Sequence, residues 1–213
     1  MAPGFYTEVA QLFDRFPTAG AVCTGFTQVD QQGAFVCDST IDIKEAGIIP
    51  NWLEMIAGGQ KLQPPAVVVK RAVYEALGSF YGVHYGEDWE MWVRIAARYP
   101  VIHSPKKLAH YRVHDGNISS QSLLTGQHIR DISKVIRFIQ DYIPDEHKRN
   151  WENNARRNWS IYFAETTDKT YGKYKQYRQA LQQAQMAIKL HLNPVSVFYF
   201  LKTFLKVSIR WKM

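Results

Sequence analysis

The sequence predicts a mixed α/β fold for the first half of the chain and an α-helical region for the rest. Up to residue 122, short β-branched runs alternate with short amphipathic segments. Beyond it, apolar residues recur at helical spacing. The content of 46% hydrophobic and 14% aromatic residues is typical of a folded protein rather than a disordered one. We therefore assign residues 1–122 to the α/β part and residues 123–213 to the helical part.

The elements of the α/β part follow from apolar spacing and from the residues that end each run. Pro17 ends the first amphipathic segment, Gly58 closes the second and Gly78 stops the third. The predicted helices cover residues 6–16, 45–57, 71–77 and 87–98. The predicted strands cover residues 20–29, 34–37 and 66–69, with extended segments at 101–102 and 109–113.

The helical part divides into four predicted helices. They cover residues 129–139, 146–165, 174–190 and 194–211. Pro144, the segment 166–172 and the Asn193-Pro194 pair separate them as breakers or loops.

The charge of the chain is concentrated in its last third. Residues 143–213 contain 13 Lys and Arg against 5 Asp and Glu, a net charge of +8, whereas residues 1–142 carry −1. Such asymmetry indicates a segment that faces an anionic surface. The alternative is a basic face that is simply solvated. A nucleic-acid partner is not predicted, because no nucleic-acid-binding motif accompanies the charge.

The last predicted helix combines a basic stripe with an apolar remainder. Lys202, Lys206 and Arg210 are four residues apart, so they share one side of a helix. The apolar positions include Val195, Phe198, Leu201, Leu205 and Ile209. Residues 194–213 would therefore suit an anionic membrane surface. Alternatively, the apolar side packs back on the domain and leaves the lysines in water.

The sequence shows no signal peptide and no run of about 18 uncharged apolar residues that could span a membrane. Cys23 and Cys37 are too few for a disulfide framework or a zinc site, so we expect reduced core cysteines. If the first two strands pair as a hairpin, the two thiols could face each other, and a disulfide is the less favoured alternative. We expect a cytoplasmic protein, with peripheral attachment to the inner face of the plasma membrane left open.

Two groups of polar residues could carry chemistry. Glu87 and Asp88 follow Gly86 at a loop-to-helix junction, where they could cap the helix or where Asp88 could act as a general base. Arg112 and His114 would point the same way on a strand, and together they would suit a diphosphate and its metal. In isolation, a helix cap and a structural histidine are the simpler interpretations.

The order of these groups resembles the distal half of bacterial family 2 glycosyltransferases, which have the GT-A fold. There, a small-residue strand and a basic residue precede a Leu-Gly-Gly-Phe turn, a Glu-Asp pair begins a helix, and a Tyr-Arg-x-His segment closes the catalytic domain. The match spans about residues 5–125, and Ser79 replaces the second glycine of the turn. The matching segments are Pro64 to Arg71, Leu77-Gly78-Ser79-Phe80, Gly86 to Trp92 and Tyr111 to Ser119.

The resemblance implies a partial GT-A sheet and an inverting transfer from a nucleotide-sugar donor to a glycan or lipid-linked acceptor in cell-surface polysaccharide or glycolipid synthesis. Asp88 matches the catalytic base and Glu87 would support it. Arg112 and His114 match positions that contact the donor diphosphate, and in some relatives the histidine ligates the metal. Trp89 could offer a platform for the acceptor sugar. The loops 58–63 and 79–86 would shape the choice of acceptor.

One departure from the family affects the expected activity. Family members begin with a nucleotide-binding half, whose Asp-x-Asp motif holds Mn²⁺ or Mg²⁺. No Asp-x-Asp occurs in this sequence, and residues 5–16 resemble the helix that usually follows the motif. We therefore expect a divalent cation for the intact family but no activity from this chain alone. The alternative function is a non-catalytic helical interaction or scaffold protein derived from a truncated glycosyltransferase.

Overall fold

A computed structural model describes residues 1–39, 41, 43–80, 82–114, 122, 125–174 and 176–210. In this part of the chain the fold is mixed α/β, as predicted, with eight α-helices and five β-strands. The chain divides into two compact units. One comprises Met1–Gly82 and Glu87–Asp115, and the other comprises Val83–Gly86 and Gly116–Met213.

The first unit contains the whole sheet and four helices. The helices are α1 (Phe5–Arg15), α2 (Trp52–Ala57), α3 (Arg71–Leu77) and α4 (Glu87–Ala96). The strands are β1 (Ala21–Val29), β2 (Phe35–Asp38), β3 (Gly47–Ile48), β4 (Val67–Val69) and β5 (Val101–Arg112). Short 3₁₀ turns cover Pro64–Ala66 in this unit and Ile139–Tyr142 in the other.

Strand β1 is the centre of the sheet. Along one edge it pairs in parallel with β5, from Ala21 opposite Val101 to Val29 opposite Arg112. Its other pairings are antiparallel, with β4 at residues 21–23 and with β2 at residues 27–29. β3 extends the sheet beyond β5. Every part of β1 except its middle therefore has strand partners on both sides.

The parallel pairing is interrupted near its middle. Thr24 lies opposite Ser104, whereas the next residue, Gly25, lies opposite Lys107, so Pro105 and Lys106 are extra residues on β5. A Cβ atom on Gly25 would approach the carbonyl oxygens of Pro105 and Lys106 to 3.2 Å. Proline lacks an N–H for a ladder, and a bulge is a position in a sheet that tolerates it.

Helix α1 covers one face of the sheet. Its buried residues Phe5, Val9 and Leu12 pack with Val22 of β1 and Ile102 of β5 in one apolar cluster. The charged Glu8 is also buried on this side, and its carboxylate accepts hydrogen bonds from Ser104 Oγ and Lys106 Nζ. The predicted helix 6–16 is confirmed within one residue at each end.

The predicted helix over residues 45–57 is wrong in its first half. Gly47 and Ile48 form β3, which pairs antiparallel with His103 and Ile102 of β5, and α2 begins only at Trp52. The segments 101–102 and 109–113, predicted separately, belong to one twelve-residue strand. The intervening bulge at Pro105 is what masked its continuity in the sequence.

The second unit is helical. Its helices are α5 (Gln127–Phe138), α6 (Asp145–Tyr174), α7 (Tyr177–Leu190) and α8 (Pro194–Arg210). α6 packs against the other three helices, and α7 packs against α8. Ala180, Ala184 and Ala187 of α7 are fully buried, so small side chains form its inner face.

The loop predicted over residues 166–172 is wrong, because α6 continues through it to Tyr174. The hydroxyl groups of Thr166 and Thr167 donate to the carbonyl oxygens of Tyr162 and Phe163, four residues earlier, at 2.8 Å each. Their polar groups are thus satisfied within the helix, and Thr167 is fully buried.

Helix α8 begins with a reciprocal cap. Asn193 Oδ1 accepts the backbone N–H of Ser196 at 2.9 Å, and Ser196 Oγ accepts the N–H of Asn193 at 3.3 Å. Asn193 Nδ2 also donates to Ser160 Oγ of α6 at 3.1 Å. Since Pro194 occupies the first helical position, the start of α8 is fixed locally and against α6.

Both cysteines carry free thiols. Cys23 is buried, and burial raises the pKa of its thiol to about 12, so it is an inert core residue. Cys37 is exposed, which corrects the expectation of a core position. The two do not face each other, because Cys37 pairs with Gln28 whereas Cys23 pairs with Val67.

Candidate functional site

The first candidate group lies at the start of helix α4. Gly86 precedes the helix with a φ of +87°, a conformation that glycine adopts readily. A Cβ atom there would approach Ile132 Cδ1 to 2.7 Å, so both backbone and space favour glycine. Glu87 is the first residue of α4 and Asp88 the second, and both side chains are half-buried.

Both carboxylate oxygens of Asp88 accept hydrogen bonds. Oδ1 accepts the backbone N–H of Trp89 at 2.8 Å, which satisfies one donor at the helix start, as the capping interpretation expects. Oδ2 accepts from Gln60 Nε2 at 2.6 Å. The carboxylate is therefore held in one orientation by both of its oxygens.

The pKa of Asp88 is raised to about 7. Burial disfavours the charged carboxylate most, and the adjacent charge of Glu87 disfavours it further. The hydrogen bonds from Trp89 and Gln60 act in the opposite direction. A carboxyl group with a pKa near neutrality can accept and release a proton under ordinary conditions, as a general base must.

Gln60 lies in the loop 58–63, but no pattern in the sequence identifies it as a site residue. Its carbonyl oxygen Oε1 is buried and has no hydrogen-bond partner in the part of the chain that the structure describes. Its Nε2 donates to Asp88 Oδ2, so the amide holds that carboxylate in place. Gln60 is therefore a positioning residue for Asp88.

A buried ion pair ties α4 to the turn after α3. Arg94 Nη2 lies 2.8 Å from Glu90 Oε2, and the two side chains are only 9% and 0% exposed. Arg94 also donates from Nη1 to the carbonyl oxygen of Leu77 at 2.6 Å and from Nη2 to that of Ser79 at 2.9 Å. The Leu77–Ser79 turn is thereby fixed to the helix that carries Asp88.

The tryptophans of α4 are core residues. Trp89 is fully buried, and its indole Nε1 donates to the carbonyl oxygen of Ile56 in α2 at 2.7 Å. A ring in this position presents no face to a ligand, so the interpretation of Trp89 as an acceptor platform is corrected. Trp92 is also buried and contacts the ring of Phe80 edge to face.

Arg112 ends strand β5 and is exposed. Its Nη1 donates to the backbone carbonyl oxygens of Asp30 at 3.1 Å and Gln31 at 2.8 Å, in the turn between β1 and β2. In this structure the guanidinium group therefore supports the β1–β2 turn. Contact with a diphosphate would use its other N–H groups or would replace these bonds.

His114 lies two residues beyond the end of β5 and is exposed. Because the strand ends at Arg112, the alternation of side chains that aligned the two residues stops before His114. The rest of the matching segment, residues 115–119, lies outside the described residues. The described residues of the two groups have different partners, with Asp88 held by Gln60 and Arg112 by the β1–β2 turn.

The described residues contain no group of three or more His, Cys, Asp or Glu side chains that could hold a metal ion. Within the described residues, His114 is therefore not part of a group of that kind that could hold Mn²⁺ or Mg²⁺, and residues 115–121 lie outside them.

Two of the three residues of the predicted basic stripe of α8 pair with an acidic side chain of α6. Lys202 Nζ lies 3.0 Å from Asp168 Oδ2, and Lys206 contacts the other oxygen of the same carboxylate. Both lysine side chains are about one-third exposed, at 38% and 35%. The apolar residues Phe198, Leu205 and Ile209 are 59%, 58% and 60% exposed, so the alternative in which they pack back on the protein is wrong.

Of the helices within the described ranges, none has the length and apolar character needed to cross a membrane.

No family model and no curated protein matches the chain.

Proposed function

We propose that this chain carries the acceptor side of an inverting, GT-A-like glycosyltransferase. The observation that supports it best is Asp88, an acidic residue at the position that resembles the family's catalytic base. It lies at the start of α4, both its oxygens accept hydrogen bonds, and its pKa is raised to about 7. A helix cap alone does not need a pKa near neutrality.

In the proposed reaction, the Asp88 carboxylate takes the proton from an acceptor hydroxyl group. The freed oxygen attacks C1 of the donor sugar on the face opposite the nucleotide. The bond between C1 and the phosphate oxygen breaks, and its electron pair leaves with the nucleoside diphosphate. One displacement of this kind inverts the anomeric carbon, and the base is most effective when its pKa is close to the working pH.

Neighbouring residues would orient this base. Gln60 fixes Oδ2 through its 2.6 Å hydrogen bond, which leaves the carboxylate little freedom to rotate. Glu87 raises the pKa of Asp88 through its negative charge. Glu90 and Arg94 would act at a distance, by holding the Leu77–Ser79 turn against the same helix.

Donor binding is the weaker part of the proposal for this chain. Arg112 could stabilise phosphate charge, but two turn carbonyls engage its Nη1. The 213 residues contain no Asp-x-Asp motif. We therefore expect the chain by itself to bind an acceptor glycan or lipid-linked sugar, and to neither bind nor hydrolyse nucleotide sugars.

The test has two arms. In the first, the purified chain is screened against a glycan array and a set of lipid-linked sugars. We expect at least one ligand to bind, and a substitution at the acceptor loop, Gln60→Ala, to weaken it. In the second, UDP-, GDP- and dTDP-sugars are supplied with Mn²⁺, and hydrolysis is followed by mass spectrometry. Glu75→Gln, on the exposed side of α3, is the control variant.

Failure to bind any saccharide or lipid-linked sugar, at a pH below and above 7, would contradict the acceptor assignment. Clear hydrolysis of a nucleotide sugar would instead overturn the expectation that this chain lacks donor chemistry. Loss of that hydrolysis in Asp88→Asn would still support Asp88 as the base.

The second candidate is a non-catalytic interaction protein. The observation in its favour is the exposed row of large apolar side chains on α8. Saccharide binding that involves Gln60 would favour the glycosyltransferase, whereas a chain that binds no saccharide but associates through α8 would favour the interaction role.

A further inference from the structure

Helix α8 has its large apolar side chains on the outside. We define the α8 apolar face as the residues Val195, Phe198, Leu201, Phe204, Leu205 and Ile209, which are between 36% and 60% exposed. They recur every three or four residues and so share one side of the helix. At about 100° per residue, Lys202 falls between Ile209 and Val195 at one edge of this face, and its ammonium group pairs with Asp168.

Among the described residues, the inward side of α8 buries no large side chain completely, and Phe200 is half-buried. Ser196 and Thr203 are fully buried, and Val207 is buried beside them. A helix that is stabilised only by its own protein normally shows the reverse arrangement, with large apolar residues inside. The exposed area of the α8 apolar face is on the order of 600 Å², at the upper end of apolar patches on monomeric proteins. Patches of this size are often functional.

The part of the chain that carries the face is strongly basic. Residues 143–213 carry a net charge of +8, and no acidic residue follows Asp168. Asp168 pairs with Lys202 and Lys206 and so offsets only part of this charge. The partner must therefore combine negative charge with an apolar interior.

A second copy of the chain fits this requirement poorly. Two α8 apolar faces would bury about 1,200 Å² in total, at the lower limit for a specific interface. The same contact would bring two segments of net charge +8 together. Like charges at a small interface oppose association.

We propose that α8 docks on the surface of an anionic lipid bilayer. The helix lies in the plane of the interface, with Phe198, Leu201 and Leu205 between the acyl chains. Its axis is fixed to the protein by the Asn193–Ser196 cap, by Ser160 and by the Asp168 ion pairs. Basic residues of the helical unit attract the anionic headgroups. The apolar side therefore contacts lipid, and the lysine stripe faces the protein.

Vesicle co-sedimentation of the full chain tests the proposal. The vesicles are equimolar phosphatidylglycerol and phosphatidylcholine, compared with phosphatidylcholine alone. We expect binding to the anionic vesicles only, and a roughly tenfold or greater loss of partitioning in Phe198→Ser/Leu205→Ser. The control variant, Phe35→Ser/Val36→Ser, removes equally exposed apolar residues from β2 and should bind as the wild type does.

A second measurement locates the contact. In a Cys37→Ser background, an environment-sensitive dye is attached to Leu205→Cys or, as control, to Gln185→Cys on α7. We expect fluorescence to rise with anionic vesicles only at position 205. Equal vesicle binding by the wild type and Phe198→Ser/Leu205→Ser would overturn the proposal. The proposal would also be overturned if the wild type did not bind vesicles but formed a dimer, detected by light scattering, that was absent in this double variant. The α8 face belongs to a different unit from Asp88, so these outcomes are independent of saccharide binding.

Discussion

Gln60 Nε2 donates a 2.6 Å hydrogen bond to Asp88 Oδ2, across 28 residues of sequence. Gln60 follows the end of α2 and Asp88 lies in the first turn of α4, so the bond joins a loop to a helix start. It stabilises the ionised carboxylate, whereas burial and the charge of Glu87 destabilise it. The pKa of about 7 is the balance of these effects.

Removing the side-chain amide of Gln60 should change the pKa of Asp88. We expect Gln60→Leu to raise the pKa of Asp88 above about 7, because the ionised form loses a donor. Carbon-13 NMR titration of the labelled aspartate carboxyl groups measures the midpoint. Gln63→Leu, a substitution in the same loop, should leave it unchanged. A lower midpoint in Gln60→Leu would show that the amide does not stabilise the ionised form.

Asp88→Asn should stabilise the protein at high pH. The pKa of Asp88 is raised from 3.8 to about 7 in the folded chain, so its contribution to stability is present below pH 3.8 and is lost as the pH rises through 7. We expect the variant to gain up to about 4 kcal/mol over the wild type near pH 8. Urea unfolding across this pH range measures the difference. Parallel pH profiles for the two proteins would contradict the shift.

Arg94→Met should destabilise the first unit strongly. It removes the counter-charge of the buried Glu90 and two bonds to the Leu77–Ser79 turn, and losing one partner of a buried ion pair costs about 3 to 5 kcal/mol. The matched control is Arg71→Met, since Arg71 and Glu75 have the same spacing but are 91% and 68% exposed. Its cost should be under about 1 kcal/mol. Equal losses in denaturant unfolding would mean that burial of the pair is unimportant.

His128 should make the helical unit sensitive to acid. The residue is fully buried, its Nδ1 lies 2.9 Å from the carbonyl oxygen of Ser122, and burial lowers its pKa to about 4. The stabilising contribution of neutral His128 is therefore fully present above pH 6.5 and is lost as the pH falls toward 4. Between pH 7 and pH 5 we expect the free energy of unfolding to fall by about 2 kcal/mol. Urea denaturation at each pH measures this loss. His128→Gln should reduce that loss, while the exposed His147→Gln should not.

Asp168→Asn should weaken the attachment of α8 to α6. Burial raises the pKa of Asp168, but the hydrogen bonds from Lys206 and Lys202 outweigh it, and the net pKa is lowered. The pairs therefore stabilise the protein at neutral pH and lose effect in acid. We expect a loss of about 1 kcal/mol that shrinks in high salt. Hydrogen exchange of α8 amides reports it, with the more exposed Asp145→Asn as control.

Local patterns in the sequence predicted the elements that local contacts define. Helix α3 has the predicted bounds, and the turn between β1 and β2 is closed by Asp30, whose side chain accepts the N–H groups of Gln32 and Ala34. Strand β3 could not be predicted in this way, because its two residues are extended only by pairing with β5, more than fifty positions later.

The candidate site was predictable in part for the same reason. Glu87 and Asp88 can be identified from the sequence as two acidic residues at a predicted helix start. Gln60 and Arg94 act through partners that are distant in sequence, and neither residue type is diagnostic alone. The orientation of α8 could not be predicted from the sequence either. A spacing of four residues aligns its lysines on one side of the helix, but it does not indicate that this side contacts Asp168.

The central position of β1 has a consequence for synthesis of the protein. Residues 21–29 leave the ribosome well before their parallel partner, β5, which ends at Arg112. At about 5–20 residues per second, the nascent chain must wait roughly 4 to 17 seconds for that partner. During this interval the apolar strand Ala21–Val29 can pair only with β2 and later β4, so its long free edge needs protection from neighbouring nascent chains.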